Sequence, residues 1–116
     1  MQGYNLPMKL ARLATIVAAL AIVLAAPARA DVDTDFANQL HTFGIYGPRD
    51  YNAYIGKIAC NRLGTGLDPD AYASTTFISR QLARGSTTAQ SWQFLATAIN
   101  FYCPDQQPVL QRAAQS

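Results

Sequence analysis

The sequence has 116 residues, with nine Lys and Arg, seven Asp, no Glu, one His and two Cys. This length allows one domain and excludes two that fold independently. The net charge of +2 arises from the first thirty residues, because Lys9, Arg12 and Arg29 lie there and residues 31–116 hold six basic and seven acidic side chains. A nucleic-acid partner is therefore not expected.

Residues 1–30 have the three parts of a secretory signal peptide. A positive start at Lys9 and Arg12 precedes an uncharged apolar run, residues 13–26, and then a proline and an Ala-x-Ala site ending at Ala30. A retained membrane anchor is the alternative, but a span needs about 20 apolar residues. We predict cleavage after Ala30, a secreted or cell-envelope location, and no stable membrane span afterwards.

The two cysteines, Cys60 and Cys103, both lie in the predicted mature chain. An even number of cysteines in an exported protein favours a disulfide. A zinc pair and a catalytic thiol are the alternatives, and zinc would require ligands beyond His41. Closing a loop of about 44 residues would stabilise the fold by roughly 4 kcal/mol in the chain-entropy treatment. We predict a Cys60–Cys103 disulfide.

Apolar spacings of three and four predict an all-α fold, and no useful length of the chain alternates as a strand does. We predict a signal peptide over residues 1–30, a four-helix bundle-like domain over 31–104, and a tail over 105–116. The tail either forms a short turn around Val109 and Leu110 or stays mobile. The four predicted helices cover about 33–43, 49–63, 69–84 and 87–103.

Glycines and capping residues set the predicted helix boundaries. Gly44 and Gly64 are expected to end the first two helices. Asp68, followed by Pro69, is expected to cap the third helix, which then extends to Arg84. The Thr87-x-x-Gln90 sequence predicts a capping box at the start of the fourth.

The fourth predicted helix carries two adjacent apolar stripes instead of one. This pattern is typical of a central helix covered on both sides, or of a helix that also walls a pocket. The central position requires no ligand and is the preferred interpretation. The stripes consist of Trp92, Leu95, Ile99 and Tyr102, and of Phe94, Ala98 and Phe101.

A flat apolar ligand such as haem is the first chemistry to consider. The axial ligand would be a histidine or a tyrosine, because no methionine follows residue 30 and the cysteines are predicted to be paired. The alternative is an exposed histidine with tyrosines at the rim of the fold. The candidate ligand-binding residues are His41, Tyr46, Tyr51 and Tyr54 around the first loop, with Phe43 and Phe94 as apolar contacts.

Metal binding and catalysis find little support in the sequence. Asp31, Asp33 and Asp35 alternate like the start of a calcium loop, but the glycine and the final glutamate of such a loop are missing. A serine nucleophile would need an adjacent base, and His41 is the only imidazole. We therefore predict no metal site and no enzymatic activity.

The placed motifs resemble a family of small exported mycobacterial proteins known as domain of unknown function 732. The resemblance implies an exported helical domain with one internal disulfide, and it transfers no activity. Some relatives are described as haemophore-like. The similarity spans about residues 33–104 and rests on Asp35-Phe36, Leu40, Gly44-Ile45, Ala59-Cys60, Leu63-Gly64, Thr87-x-x-Gln90, Ala98-Ile99 and Tyr102-Cys103-Pro104.

The expected function is that of an exported, non-catalytic binding or interaction module. Its partner would be a protein of the envelope or the extracellular space, which semi-exposed aromatic side chains can contact as anchors. The alternative is a carrier of a small apolar ligand such as haem.

Overall fold

A computed structural model describes residues 30–116, with side chains from Val32 onward. The predicted leader, except for Ala30, lies outside the described residues. The Asp31 side chain also lies outside them. The described residues form no strand, and none of their helices is long and apolar enough to cross a membrane. The all-α prediction is confirmed. The helices are α1 (Ala30–Thr42), α2 (Arg49–Gly64), α3 (Ala71–Gln81), α4 (Thr88–Tyr102), a 3-10 turn (Pro104–Gln106) and α5 (Gln107–Gln115).

Two of the predicted helix boundaries are confirmed. Gly44 closes the end of α1 with a φ of 74°, a conformation that glycine adopts without a steric penalty. At the start of α4, Thr87 Oγ1 accepts from the Gln90 backbone N–H over 3.1 Å. Gln90 Oε1 accepts from the Thr87 N–H over 2.8 Å, which completes the capping box.

The predicted cap of α3 is wrong, and so is its predicted end. Asp70, and not Asp68, caps the helix, because its Oδ1 accepts from the Ala73 N–H over 2.9 Å. Asp68 is buried instead and pairs with Arg62. The helix ends at Gln81, short of Arg84, because Leu82 turns to an extended conformation that packs its side chain against the core.

The end of α2 also differs from the prediction. Gly64 is helical, and the left-handed residue is Gly66, with a φ of 79°. The Thr65 N–H donates to the Asn61 carbonyl, and the Gly66 N–H donates to the Leu63 carbonyl. Residues after Gly64 therefore supply hydrogen bonds to carbonyls in the last turn of the helix.

The α4 helix lies at the centre of the fold, as the two apolar stripes predict. It packs against both α2 and α3. Its side chains Phe94, Leu95, Ala98 and Ile99 are 0% exposed. Burial on both sides explains why this segment is apolar around most of its circumference.

The α1 helix is anchored to this centre by Phe36. Its ring makes edge contacts with Phe94 and Tyr102, at centroid distances of 5.5 and 4.9 Å. Gly56 of α2 permits this packing, because a Cβ there would lie 3.1 Å from Phe36 Cζ and from Tyr102 Cε2. A side chain at position 56 would therefore separate α1 from α2.

The predicted disulfide is confirmed. Cys60 and Cys103 are bonded, with their Cα atoms 5.9 Å apart. The bond joins the last turns of α2 to the residue that ends α4. It closes a loop with a sequence separation of 43 residues.

The tail, for which the sequence predicts a short turn or a mobile end, forms the nine-residue helix α5. Val109 is buried at 7% exposure, and Leu110 and Ala113 pack against the core. The Tyr72 hydroxyl of α3 donates to the Ala113 carbonyl over 3.3 Å. The last residues of the chain are therefore part of the bundle.

Asp33 in α1 has partners on two other helices. The Tyr102 hydroxyl donates to Asp33 Oδ1 over 2.7 Å, and Lys57 Nζ lies 3.3 Å from Asp33 Oδ2. The Tyr102 hydrogen bond, opposed by partial burial and assisted by Lys57, holds the pKa of the Asp33 carboxyl below its ordinary 3.8. Burial and the hydrogen bond to Asp33 raise the pKa of Tyr102 above its ordinary 10.0.

We expect Tyr102→Phe to lower the free energy of unfolding by about 1.5 kcal/mol at neutral pH, the lower end for a hydrogen bond to a charged group, because the Asp33 side chain is partly exposed. Because the native pKa of Asp33 is depressed, its contribution is complete above pH 3.8 and is lost as the pH falls through the native pKa. The difference in the free energy of unfolding between wild type and variant therefore becomes smaller in acid. Urea unfolding at neutral pH and at about pH 2 measures it, and equal differences at both values would contradict the role given to Asp33.

Candidate functional site

The candidate site is a surface depression of about 210 Å³, called here the tyrosine groove. It lies where the loop between α1 and α2, the start of α2, and the chain around the end of α3 meet. None of its lining side chains is charged. The lining residues are Tyr46, Gly47, Pro48, Tyr51, Asn52, Gln81, Leu82 and Ala83.

The loop that carries Tyr46 is fixed to the body of the fold at two points. Ile45 is buried at 5% exposure, so its side chain anchors the loop in the core. Gln90, whose Oε1 belongs to the capping box, donates from Nε2 to the Phe43 carbonyl over 3.1 Å. Tyr46 itself is 68% exposed, and its ring lies 5.2 Å from that of His41. The anchored loop therefore presents Tyr46 outward.

The start of α2 forms the second wall of the groove. Tyr51 is 43% exposed, and its hydroxyl donates to Gln81 Oε1 over 3.3 Å. This hydrogen bond joins α2 to the end of α3. Because it uses the carbonyl oxygen of the Gln81 side chain, both N–H groups on Gln81 Nε2 remain available.

Asn52 lies at the base of the groove and is only 5% exposed. Within residues 32–116, its side-chain carboxamide makes no hydrogen bond. Every fully enclosed polar side-chain atom in that part of the chain does have a partner. The carboxamide atoms of Asn52 must therefore reach the surface through the groove. A bound molecule that supplies partners would take the place of water at these atoms.

Three of the six predicted ligand-binding residues lie together. Tyr46 and Tyr51 line the groove, and His41 is exposed beside Tyr46. Tyr54 is 61% exposed about one helical turn beyond Tyr51, outside the lining. The three tyrosines therefore follow one another along the surface from the loop onto α2.

The two predicted apolar contacts lie elsewhere. Phe43 is half-buried against the core, and its carbonyl accepts the Gln90 hydrogen bond. Phe94 is 0% exposed and packs edge-on against Phe36. Phe94 is therefore part of the hydrophobic core and does not line the tyrosine groove.

Sequence reasoning missed Asn52 and Gln81. One signal for Asn52 was available, because it shares the buried face of α2 with Ile55, Gly56 and Ala59 at helical spacing. A polar side chain on an apolar face indicates either an internal hydrogen bond or a binding role. Gln81 has no comparable signal, since its importance arises from the contact with Tyr51.

The tyrosine groove does not fit haem. Its volume of about 210 Å³ is below the 300–1,000 Å³ that is typical of small-molecule sites. Phe94, the predicted apolar wall, is fully buried in the core and does not line the depression. A free metal ion is a separate case from haem, whose iron one axial side chain can hold; for a free ion, the described side chains contain no group of three His, Cys, Asp or Glu residues.

A second depression, called here the tryptophan groove, has a volume of about 280 Å³. It lies between α3, α4 and α5, and most of its lining is apolar. The Tyr72 ring meets that of Trp92 edge-on, with centroids 5.1 Å apart. The Tyr72 hydroxyl is already bonded to Ala113 and Ser116. The lining residues are Tyr72, Trp92, Leu110, Ala113 and Ala114.

The fold and the disulfide define a small, disulfide-linked, all-α protein with a polar groove flanked by tyrosines. Comparison with known proteins identifies its family: residues 32–105 match the family described as protein of unknown function (DUF732). The chain belongs to this family, which confirms the resemblance found in the sequence.

The similar curated proteins have no named activity. The chain is 54% identical over 109 residues to uncharacterized protein Rv0559c of Mycobacterium tuberculosis strain ATCC 25618 / H37Rv. It is equally similar to uncharacterized protein MT0585 of strain CDC 1551 / Oshkosh. Each alignment covers 91% of this chain and 97% of the relative. No solved structure matches.

Proposed function

We propose that this protein is exported, is cleaved after Ala30, and acts in the cell envelope or the medium as a non-catalytic binding module. In this proposal, a partner protein docks on the tyrosine groove. Export is supported by the leader pattern of residues 1–30 and by the disulfide, since such bonds persist in oxidising compartments.

The observation that carries the binding role is the Asn52 carboxamide, which is buried, unpaired among the described residues, and open to the groove. Tyr46 and Tyr51 flank it with exposed rings. Tyrosine is enriched at protein interfaces because it combines a large apolar area with a polar end. A contacting protein would bury the two rings and supply the amide with partners.

A binding role is preferred to catalysis because of the chemistry of the lining. None of the groove residues is a Ser, Thr, Cys, Lys, His or Asp. Nucleophilic and acid–base catalysis depend mainly on such side chains; tyrosine can also serve, but the lining holds no charged or imidazole side chain that could activate Tyr46 or Tyr51. His41, the imidazole beside Tyr46, lies outside the lining.

The first test expresses the full chain in a mycobacterial host and separates the cytosol, the envelope and the medium. We expect the product in the latter two fractions, with Asp31 as its first residue in N-terminal sequencing. A full-length product that is confined to the cytosol would overturn the export proposal.

The second test measures saturable binding of the labelled, oxidised mature chain to an isolated envelope fraction. We expect Tyr46→Ser with Tyr51→Ser to weaken binding at least about ten-fold, because tyrosine is enriched among the few interface residues whose loss costs about 2 kcal/mol or more. Protease treatment of the fraction should also abolish binding if the partner is a protein. Tyr54→Ser is the matched control, since Tyr54 is exposed on the same helix but outside the groove. Unchanged binding by the double variant would overturn the role of the groove.

A carrier of a small apolar ligand is the alternative, and the tryptophan groove is the feature that favours it. Its volume approaches the lower limit of ligand sites, and most of its lining is apolar. Trp92 is the only tryptophan in the chain, so its fluorescence reports directly on this groove. A saturable fluorescence change with an apolar ligand would favour the carrier. A Soret shift on addition of haem that His41→Ala removes would instead place a carrier site beside Tyr46 and contradict the poor fit of the tyrosine groove.

A further inference from the structure

Two side-chain amides in the tyrosine groove, those of Asn52 and Gln81, carry N–H donors that have no partner within residues 32–116. Gln81 Oε1 is occupied by the Tyr51 hydroxyl, whereas Gln81 Nε2 makes no hydrogen bond within residues 32–116. The Asn52 carboxamide adds two further N–H groups and one oxygen. Oxygen acceptors on a bound molecule would pair with these N–H groups.

The lining also restricts the charge and shape of that molecule. No charged side chain lines the groove, so no ion pair is available for an anionic or cationic group. Tyr46 and Tyr51 present exposed rings at the groove, which favour apolar groups between or against them. The volume of about 210 Å³ admits a short stretch of chain and not a whole helix.

An extended proline-rich segment meets each of these requirements. Its backbone has no internal hydrogen bonds, so its carbonyl oxygens are free to accept, and proline contributes no N–H that would need an acceptor. Grooves lined by aromatic side chains bind such segments in several unrelated domains, because the preformed polyproline helix loses little entropy on binding.

We infer that the tyrosine groove binds an extended, uncharged, proline-rich segment of the partner protein, with Asn52 and Gln81 donating to its backbone carbonyls. This inference rests on the proposed function and names the chemical class of the partner at the same groove. Tyr46 and Tyr51 hold the proline rings. The Tyr51–Gln81 hydrogen bond orients the Gln81 carboxamide so that its N–H groups stay available.

The test is a nuclear magnetic resonance titration of the oxidised mature chain, labelled with ¹⁵N. The probe is the blocked peptide Ala-Pro-Pro-Ala-Pro-Pro-Ala, and its matched control replaces every proline by alanine. We expect saturable shifts of the Asn52 and Gln81 side-chain N–H signals with the proline peptide, and at least about ten-fold weaker binding of the control.

Two variants separate hydrogen bonding from folding. Asn52→Leu and Gln81→Met each remove donors, and each should weaken peptide binding about ten-fold. Gln81→Met changes a half-buried surface residue, so it provides the test even if Asn52→Leu fails to fold. Gln111→Met is the control, because Gln111 is exposed on α5 away from the groove.

The outcomes distinguish this inference from the proposed function. If the proline peptide leaves both carboxamide signals unmoved while the envelope fraction still binds through Tyr46 and Tyr51, the proline-rich partner is wrong and the groove remains a binding site. If neither the peptide nor the envelope fraction binds, both proposals fail. Equal affinity for the proline and alanine peptides would also overturn the inference.

Discussion

Replacing both cysteines, as Cys60→Ala with Cys103→Ala, is expected to lower the free energy of unfolding by about 4 kcal/mol. The disulfide closes a loop with a sequence separation of 43 residues, and opening it restores that conformational freedom to the unfolded chain. A loss of this size is a large share of the 5–15 kcal/mol that is typical of a folded domain. The melting temperature should fall by roughly 15–30 °C, because 1 kcal/mol corresponds to about 4–8 °C in domains of this length.

Thermal unfolding with and without dithiothreitol measures this effect. The reductant should lower the melting temperature of the wild type to about that of the double variant, and it should leave the variant unchanged. Alkylation followed by mass measurement verifies that the wild-type thiols are paired before reduction. A wild type that melts at the same temperature in both states would refute the stabilising role of the bond.

Asp68→Ala is expected to destabilise the fold by about 3 kcal/mol, at the lower end for breaking a buried ion pair. Asp68 accepts from Arg62 Nε and Nη2, each over 2.9 Å, and from the Ser74 hydroxyl over 3.0 Å. Its side chain is 3% exposed, whereas that of Arg62 is 28% exposed. The partly exposed guanidinium can regain some hydration in the variant, which keeps the expected loss near 3 kcal/mol.

Asp70→Ala is the matched control for this prediction. Asp70 lies two residues further along and caps α3 through one hydrogen bond to the Ala73 N–H. Removal of such a cap should lower the free energy of unfolding by about 1 kcal/mol. Denaturant unfolding of both variants provides the comparison. Equal losses, or a larger loss for Asp70→Ala, would contradict the assignment of the cap and the ion pair.

The parts of the fold that could be predicted depend on local patterns. The capping box of Thr87 and Gln90 is formed by residues three apart, and Gly44 acts on the helix that immediately precedes it. The central position of α4 could be predicted because burial on two sides leaves an apolar sequence on two sides. The disulfide followed from the number of cysteines and the predicted compartment.

The errors arose where a distant residue decides the local structure. Asp68 and Asp70 are both suitable caps when α3 is considered alone, and Arg62 on α2 withdraws Asp68 from that role. The tail has a narrow apolar stripe that is marginal as an isolated helix. It becomes helix α5 because Val109 is buried and Leu110 and Ala113 pack against the core of the bundle.

Only those residues of the candidate site that are recognisable from local sequence could be predicted. Tyr46 and Tyr51 were identified by residue type and by their place near the first loop. Gln81 could not be found, because a glutamine near the end of a helix is ordinary until the Tyr51 hydroxyl meets it. The apolar pattern of α4 does not distinguish a core residue from a pocket wall, so the sequence alone does not show that Phe94 belongs to the core.

The Gln90 side chain makes hydrogen bonds that serve two tasks in different parts of the fold. Its carbonyl oxygen belongs to the start of α4, while its amide nitrogen reaches back across 47 positions to the Phe43 carbonyl and so fixes the approach to Tyr46. Glutamate could perform the first task, because it keeps the oxygen, but it has no hydrogen to donate for the second. Glutamine at position 90 therefore links the start of α4 to the placement of a distant aromatic ring, and a glutamate there would keep only the start of the helix.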